Sequence, residues 1–580
     1  MTNRTFKSGE SREQACLFPA RIDDYVEPDN PVRAIDGYVA ALDLAKLGFR
    51  HAKRGIGVGQ PPYDPSDLLK LYIYGYLNRV RSSRRLEREA ACNLEVIWLL
   101  KTLKPGYRTI AKFRSENWAA LKAANRDFVL LMRELDLIGG SCIAVDGALF
   151  HGNASKDSIF TRSRLEKQIA HLDKEIEAYG QALDANDVEE AKQRTGGPGD
   201  GSKSDVGEKM KELMARRERA RADLKELESS DKGQLSNTDP NARLLSKGDQ
   251  TVAGYNVQSV VDDKHMLIIE SEVVNRSDAG HLHMMAKAAK ETLEVETLQV
   301  LADAGYYNSE DLKACEDDGI TAYVPLHEGN NKLEKQGRFS RKNFSYDASA
   351  DAYRCPAGQL LSRTKKPWTN TSGRVETRYT SSKATCDACP LRTRCLSPEA
   401  KTRVVFRWVH EDVLDRHRAR MRSEKADELM VKRFAVVEHP FGTLKCRAGY
   451  THFLVRGFKK VRGEWGLMAL CYNFTRVLNI LGFDRFVAYL AGNARAIQDG
   501  YRGVARSRTA PSRSGRLAAY LLSLDGSTHQ RDFVFSSSSW PASSYKTACA
   551  KNRNSQTNST PTGLSSPRAK KIPLLFFGNL

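Results

Sequence analysis

The amino-acid sequence predicts an α/β (α+β) fold, in which an all-helical N-terminal region precedes a mixed five-stranded sheet. Three observations favour this architecture. Apolar residues recur at helical spacing before residue 136, five strand-like apolar runs follow, and helical segments separate the last of those runs. The chain of 580 residues is long enough for about three to five domain-sized units.

Residues 1–135 form the predicted helical N-terminal domain. A helix is expected to begin at Pro65, a second is expected from Ser83 to Leu99, and a basic helix begins near Thr109 after a Lys-Pro-Gly turn. Three cations lie on or beside that last helix, which could be a recognition helix that enters the major groove of DNA: Arg108, Lys112 and Arg114. A solvated basic helix face is the alternative interpretation.

Residues 136–485 contain the predicted sheet. The expected order is strand, strand, strand, helix, strand, helix, strand, with the first three strands antiparallel, and this is the arrangement of an RNase H-like core. The strands are expected at 141–146, 251–262, 265–274, 298–303 and 320–325, with helices at about 278–293 and 309–318.

Two insertions and a tail complete the predicted organisation. Residues 156–245 are expected to contain a helical hairpin, because apolar residues from Leu165 to Leu183 follow heptad spacing and a glycine-rich turn follows them. Residues 326–425 form a polar insertion that carries cysteines. Residues 486–580 are serine-rich and basic, and we expect them to be disordered.

Composition limits the classes of partner and compartment. The formal net charge of +20 favours a polyanionic partner, nucleic acid first and an anionic membrane surface second. The N-terminus lacks the apolar core of a signal peptide, and no apolar run reaches the roughly 18 residues of a spanning helix. Eleven cysteines without a secretory signal are expected to be reduced thiols or metal ligands. We therefore expect a cytoplasmic protein without a membrane partner.

Acidic residues end two of the predicted strands in the same way. Asp146 and Asp303 each follow an apolar run and precede glycine by one or two residues. Buried neighbouring carboxylates need a cation between them, and Mg²⁺ suits oxygen ligands of this kind. A single aspartate of this type is more often a turn or cap residue, but two on adjacent strands favour an ion site. Glu438 is a candidate third acid, and Lys445 lies about two helical turns after it.

A second candidate metal site consists of four cysteines within the 326–425 insertion. The spacing Cys-x2-Cys followed by a third cysteine is common in structural zinc sites, and an earlier cysteine can supply the fourth ligand. The four residues are Cys355, Cys386, Cys389 and Cys395. Four reduced thiols without a metal are the alternative.

Several motifs, in this order, resemble the bacterial insertion-sequence DDE transposases. The resemblance covers roughly residues 15–485, and it also includes the run from Arg456 to Asn473. The motifs are Asp146-Gly147 with Asn153-Ala154-Ser155, then Gly254-Tyr255-Asn256-Val257-Gln258, then Asp303-Ala304-Gly305-Tyr306, then the run Glu438–Lys445.

The resemblance implies an RNase H-like catalytic core with a triad formed by Asp146, Asp303 and Glu438, which binds two Mg²⁺ or Mn²⁺ ions. It implies that Lys445 contacts a DNA phosphate near the cut. Relatives with a fuller signature carry arginine four and tyrosine seven residues before the glutamate, where this chain has Phe434 and Val431. The implied partners are double-stranded DNA, as terminal inverted repeats and as target, and a second copy of the chain in a synaptic homodimer at the bacterial nucleoid.

The leading hypothesis is therefore a transposase that binds the ends of an insertion sequence and catalyses metal-dependent cleavage and strand transfer. One alternative is an RNase H-like nuclease that cuts without joining. Another is a catalytically inactive or degraded transposase-derived DNA-binding protein, an alternative that the unusual tail leaves open.

Overall fold

A computed structural model gives the architecture of residues 21–52, 61–192, 203–230, 233–326, 332–364, 366–370 and 373–492. Much of the predicted basic tail, residues 493–580, lies outside these described residues, as does the glycine-rich tip of the hairpin at 193–202. Within the described part of the chain, no helix is both long enough and apolar enough to cross a membrane.

The N-terminal region is helical as expected, with one difference. The expected helix from Ser83 to Leu99 is broken at Asn93, whose side-chain oxygen accepts hydrogen bonds from the backbone N–H groups of Glu95 and Val96 and so caps a new helix. The helices are α1 (Pro31–Ala40), α2 (Pro65–Leu77), α3 (Ser83–Cys92), α4 (Leu94–Leu99), α5 (Tyr107–Glu116) and α6 (Trp118–Glu134).

The central sheet has six strands, so the prediction of five was wrong by one. The additional strand is β4 (Arg243–Lys247), which pairs with the first residues of β5 through a two-residue hairpin turn. The other strands are β1 (Cys142–His151), β5 (Gln250–Asp262), β6 (Ile268–Val274), β7 (Leu298–Leu301) and β8 (Ile320–Tyr323), and a separate short ladder joins β2 (Ile159–Phe160) to β3 (Leu235–Ser236).

Strand β5 lies at the centre of the antiparallel half of this sheet. It pairs antiparallel with β1 on one side, and it also pairs antiparallel with β4 and β6. On the far side of β1, strands β7 and β8 continue the sheet in parallel. The expected order of three antiparallel strands followed by parallel ones is therefore observed, and α9 (Leu282–Leu293) and α10 (Ser309–Asp317) connect the later strands.

The inserted hairpin consists of α7 (Arg162–Lys192) and α8 (Lys203–Ser229), which pack against each other. Their contact buries Leu165, Ala220 and Leu227 in a small cluster of their own. This arrangement agrees with the predicted heptad seam at its base, where Leu165 begins the repeat.

The cysteine-containing insertion forms a second sheet that the sequence did not predict. The strands are β9 (Ser345–Asp347), β10 (Ala352–Arg354), β11 (Leu360–Arg363), β12 (Trp368–Thr369), β13 (Val375–Thr380) and β14 (Val404–Trp408), and the short helices are α11 (Lys332–Lys335), α12 (Lys383–Asp387) and α13 (Arg392–Cys395). Five buried side chains form its core: Phe344, Tyr353, Leu361, Tyr379 and Val405.

Three further helices follow the second sheet. They are α14 (Glu411–Arg420), α15 (Glu424–Gly442) and α16 (Phe458–Leu481), and a π-helical turn (Thr443–Arg447) continues α15 directly. Helix α15 passes through Pro440 without ending, and the π-helical turn follows Gly442. Helix α16 packs on α6 and α2, so one hydrophobic core joins the N-terminal helices to the sheet.

The first residues of the predicted C-terminal tail belong to the folded part of the chain. Residues 483–492 are helical, and Phe486 and Leu490 are fully buried in the main core. Burial of these apolar side chains fixes a segment that composition alone assigned to the tail, so the boundary at residue 486 was placed too early.

Candidate active site

Asp146 and Asp303 come together because of the register of two parallel strands. Strand β1 pairs with β7 so that Ala144 lies opposite Leu301. Asp146 lies two residues beyond that pair within β1, and Asp303 lies two residues beyond it, just after β7 ends, so the two aspartates occupy matching positions. The side chain of Asp146 is 20% exposed and that of Asp303 is 29% exposed.

Two cations contact this pair of carboxylates. Lys247, the last residue of β4, places Nζ 3.1 Å from Asp146 Oδ1 and 3.9 Å from Asp303 Oδ2. Arg433 on α15 reaches the same two oxygens with one guanidinium nitrogen, at 3.8 Å and 3.6 Å. Arg433 is buried, so it is a fixed cation at the back of the site.

A third carboxylate, which sequence reasoning did not assign to the site, belongs to Asp278. Its side chain is only 10% exposed, and its Oδ2 lies 3.1 Å from Lys247 Nζ. The amide groups of Asn256 and Gln258 donate hydrogen bonds to its other oxygen at 2.7 Å and 2.8 Å. The hydroxyl of Tyr306 in turn donates to the Gln258 side chain. The motifs around residues 254–258 and 303–306 therefore meet in one network.

The electrostatic environment shifts the pKa values of Asp146 and Asp278 in opposite directions. Burial raises the pKa of Asp146, and Lys247 and Arg433 offset only part of that effect. Burial acts in the same direction on Asp278, but Lys247 and the two amide donors outweigh it and lower the pKa of that carboxyl. Burial opposes the charge of Lys247, and the three aspartates raise its pKa above the ordinary value. The charged forms of Lys247 and Asp278 are therefore favoured.

Glu438 does not join these residues in the structure. It lies on α15 five residues after Arg433, which is about 140° around the helix from the face that contacts the aspartates. Its side chain is exposed. The structure therefore brings together two of the three predicted triad members and leaves Glu438 on a different face of the same helix.

Lys445 contacts strand β1. Its ammonium group donates a hydrogen bond to the carbonyl oxygen of Leu149 at 2.8 Å and lies 4.6 Å from the centre of the Phe150 ring. The π-helical turn that carries Lys445 thus lies beside the strand that carries Asp146. Contact of Lys445 with a DNA phosphate stays a prediction.

The four cysteines of the insertion surround one small cavity. Cys355, Cys386, Cys389 and Cys395 line a space of about 30 Å³, which has room for a group the size of one water molecule. Burial raises the pKa of the Cys395 thiol, Arg403 lowers it, and the other three thiols raise it further. All four are free thiols. The sequence elements that carry them therefore converge on one small cavity.

In neither cluster do the candidate ligands stand as close together as the ligands of a bound metal ion do. Among the residues that the structure describes, no three acidic, histidine or cysteine side chains already stand close enough to hold one. At the acidic cluster, the ammonium of Lys247 sets the spacing, because an N···O contact of 3.1 Å is about 1 Å longer than a bond from Mg²⁺ to oxygen. The donors nevertheless fit a hard cation, because one positive group already contacts all three carboxylates.

The predicted DNA-binding residues of α5 separate into two groups. Arg108 and Lys112 are exposed, one helical turn apart. Arg114 is 8% exposed and its guanidinium lies 5.7 Å from the Tyr72 ring, so the prediction that it contacts DNA was wrong. It shares the buried face of Ile110 and Phe113, a periodicity that the sequence already contains. Arg84, which the sequence patterns did not single out, is exposed on the neighbouring helix α3, and its guanidinium lies 5.3 Å from the centre of the Tyr107 ring of α5.

Comparison with known proteins adds two family matches. The model described as "Transposase DDE domain" matches residues 354–478, and the model described as "Transposase domain (DUF772)" matches residues 20–116. No curated protein matches the chain. Among solved structures, the cryo-EM structure of the piggyBac transposase synaptic complex with hairpin DNA is similar at a TM-score of 0.28 and 8% identity, over 88% of this chain and 87% of that chain.

The two family models match separate parts of the chain. One covers most of the N-terminal helices, and the other covers the segment from the cysteine-containing sheet through Glu438 to α16. Together with the ordered motifs, these matches support the identification of the chain as an insertion-sequence DDE transposase.

Proposed function

We propose that this chain binds the ends of an insertion sequence and catalyses metal-dependent cleavage and strand transfer of DNA. The observation that carries the proposal is the convergence of Asp146 and Asp303 on the same two cations, Lys247 and buried Arg433. The strand order, with β6, β5 and β1 antiparallel and β7 and β8 parallel to β1, supports an RNase H-like core.

Asp146 and Asp303 would hold the divalent ions, with Glu438 as the third acid that the resemblance implies. When bound, such ions activate a water or 3′-hydroxyl and stabilise the leaving oxygen, so no serine or tyrosine nucleophile is required. The protein residues supply charge and position. Arg433 fixes the two aspartates from behind, and Lys445, beside β1, is the proposed contact to a phosphate near the cut.

The proposed DNA-binding surface of the N-terminal region includes Arg108 and Lys112 on α5, together with Arg84 on α3. These three cations are exposed on two helices that pack against each other. Contacts of this kind to phosphates give affinity that falls with salt, whereas sequence recognition needs contacts to base edges. We propose that two copies of the chain bring two element ends together in a homodimer.

The cysteine cluster is the proposed site of one structural zinc ion. The sheet that carries it has a core of five side chains, and a metal bound by Cys355, Cys386, Cys389 and Cys395 would stabilise so small a unit. Metal analysis of the purified protein should find about one zinc per chain, and Cys386→Ser should lose it. Cys92→Ser, which changes an exposed thiol elsewhere, should keep it. Zinc-free wild-type protein of full stability would contradict this assignment.

The proposed reaction is tested with purified full-length chain and duplexes from the inverted repeats that flank the reading frame. Asp146→Asn and Asp303→Asn should each lower Mg²⁺-dependent cleavage by on the order of 100-fold or more, because each removes an ion ligand. Asp157→Asn, which changes an exposed acid paired with Arg164, is the matched control and should leave cleavage unchanged.

Two further measurements separate the alternatives. Strand transfer with pre-cut ends should yield joined product, whereas a nuclease yields none. Glu438→Gln tests the third acid by itself, and full activity in that variant would remove Glu438 from the site without removing the aspartates. Full cleavage by either aspartate variant would refute the proposed function.

A further inference from the structure

Lys247 lies among four oxygen atoms of the candidate active site. Its Nζ is 2.7 Å from the carbonyl oxygen of Gly147, 3.1 Å from Asp146 Oδ1, 3.1 Å from Asp278 Oδ2 and 3.9 Å from Asp303 Oδ2. The residue ends β4 at the hairpin turn into β5, where Lys247 pairs with Gln250. One cationic group of the chain therefore occupies the space that three carboxylates share.

Hydrogen bonds from two buried side chains hold Asp278 in this space. Asn256 and Gln258 are 2% and 0% exposed, and both donate to Asp278 Oδ1. Their hydrogen bonds leave Oδ2 as the oxygen that faces Lys247. The Oδ1 atom of Asn256 is buried, has no hydrogen-bond partner among the residues that the structure describes, and lies where a side chain on Gly147 would be. The network thus fixes the direction in which Asp278 presents its second oxygen.

We propose that Lys247 and a divalent cation compete for one site formed by Asp146, Asp278 and Asp303, so that Asp278 is the third carboxylate of that site. This inference rests on the proposed function, because it concerns the same carboxylates. An ammonium group and a metal ion cannot share the same oxygens, since metal–oxygen bonds of about 2.1 Å require the carboxylates to close on one point.

The two cations of the site differ in their freedom to move. The side chain of Lys247 is 41% exposed, so it can turn into solvent, where an ammonium group is well hydrated. The side chain of Arg433 is 7% exposed and has no such route. Lys247 is therefore the cation that leaves when the ion binds, and Arg433 stays.

The competition is tested by titrating full-length protein with Mn²⁺ alone and measuring binding by calorimetry. Lys247→Ala should bind Mn²⁺ about tenfold more tightly than wild type, because no internal cation has to be displaced. Lys247→Arg keeps a charge that cannot be lost and should bind no more tightly than wild type. Equal affinities of Lys247→Ala and wild type would overturn the proposal.

A matched control removes a lysine of the same kind elsewhere. Lys122 is 42% exposed and pairs with Glu270 and Glu272 at 3.6 Å and 3.0 Å. Lys122→Ala therefore changes the net charge equally, and it should leave Mn²⁺ affinity unchanged. Tighter binding in this variant too would attribute the effect to net charge and would contradict the competition.

Asp278→Asn tests the third carboxylate and should weaken Mn²⁺ binding at least about tenfold. Unfolding temperature is recorded for each variant, and if Asp278→Asn does not fold, the two Lys247 variants still decide the competition. Failure of this inference is distinguishable from failure of the proposed function. If Lys247→Ala leaves Mn²⁺ affinity unchanged and Asp146→Asn weakens it, only the competition is refuted. If both Asp146→Asn and Asp303→Asn leave Mn²⁺ affinity unchanged, the proposed function is refuted.

Discussion

Substitution of Gly147 by alanine should disrupt the acidic site and the stability of the fold together. Gly147 follows Asp146 on β1, and an added Cβ would lie 2.1 Å from Asp278 Oδ1, 2.4 Å from Gln258 Nε2 and 2.8 Å from Asn256 Oδ1. All three distances are shorter than atoms tolerate, and the side chains concerned are buried and bonded to one another. They cannot move aside without breaking their own hydrogen bonds.

The expected magnitude follows from the bonds that break. Displacement of Asp278 removes two hydrogen bonds to a charged and buried carboxylate, each worth about 1.5–3 kcal/mol. We therefore expect Gly147→Ala to lower the free energy of unfolding by about 2–5.5 kcal/mol, since the lower backbone entropy of unfolded alanine returns about 0.5–1 kcal/mol. Urea unfolding followed by far-UV circular dichroism at pH 7.5 measures this difference.

Gly180→Ala provides the control for that experiment. Gly180 lies within α7, where no atom of the described part of the chain stands within 4 Å of an added Cβ. Alanine favours the helix there, so this variant should be more stable by up to about 1 kcal/mol. A Gly147→Ala protein within about 1 kcal/mol of wild type would show that the Asp278 network is not rigid, and the reasoning would fail.

Two further predictions concern groups outside the acidic site. Burial lowers the pKa of His417 below 6.5, so the unfolded chain takes up a proton that the folded chain does not, and stability should fall as the pH drops below 6.5. Between pH 7.5 and pH 5.5, His417→Gln should lose less of its free energy of unfolding than wild type does. The difference should be up to about 1.4 kcal/mol per pH unit. Arg108→Ala and Lys112→Ala should each reduce the salt slope of duplex binding by about 1 in filter binding, whereas Arg114→Ala should change stability and not the slope.

Local patterns in the sequence predicted most of the elements. Helix α2 begins at Pro65 as expected, because the Asp64 side chain accepts a hydrogen bond from the Ser66 backbone N–H and proline fits the first helical position. The strands that carry Asp146 and Asp303 are apolar runs that need no distant partner to be recognised. Their adjacency followed from the order of elements, and the catalytic role of the two aspartates stays a proposal.

Local sequence patterns could not predict contacts between residues that lie far apart in the chain. Lys247 and Asp146 are 101 positions apart, and a lysine at the end of a short edge strand has no local signature. Asp278 was interpreted as the start of a helix, but α9 begins only at Leu282, and the aspartate turns toward Asn256 and Gln258 instead. Gly254 belongs to one of the motifs found in the sequence, but a contact with a distant residue explains why glycine is needed there. An added Cβ would lie 2.0 Å from the Phe150 carbonyl oxygen.

The charges of the site lead to a last prediction, on the number of ions. Asp146, Asp278 and Asp303 carry three negative charges and Arg433 one positive charge, so one divalent ion in place of Lys247 makes the site neutral. A second ion would leave +2, and Glu438 with a DNA phosphate would balance it. Burying net charge is costly, so the free chain should bind one Mn²⁺ and the DNA complex two. Calorimetry with and without a 20-base-pair duplex (about two helical turns) counts the ions, and Glu438→Gln should lose only the second. Two ions bound with equal affinity by the free protein would contradict this balance of charges.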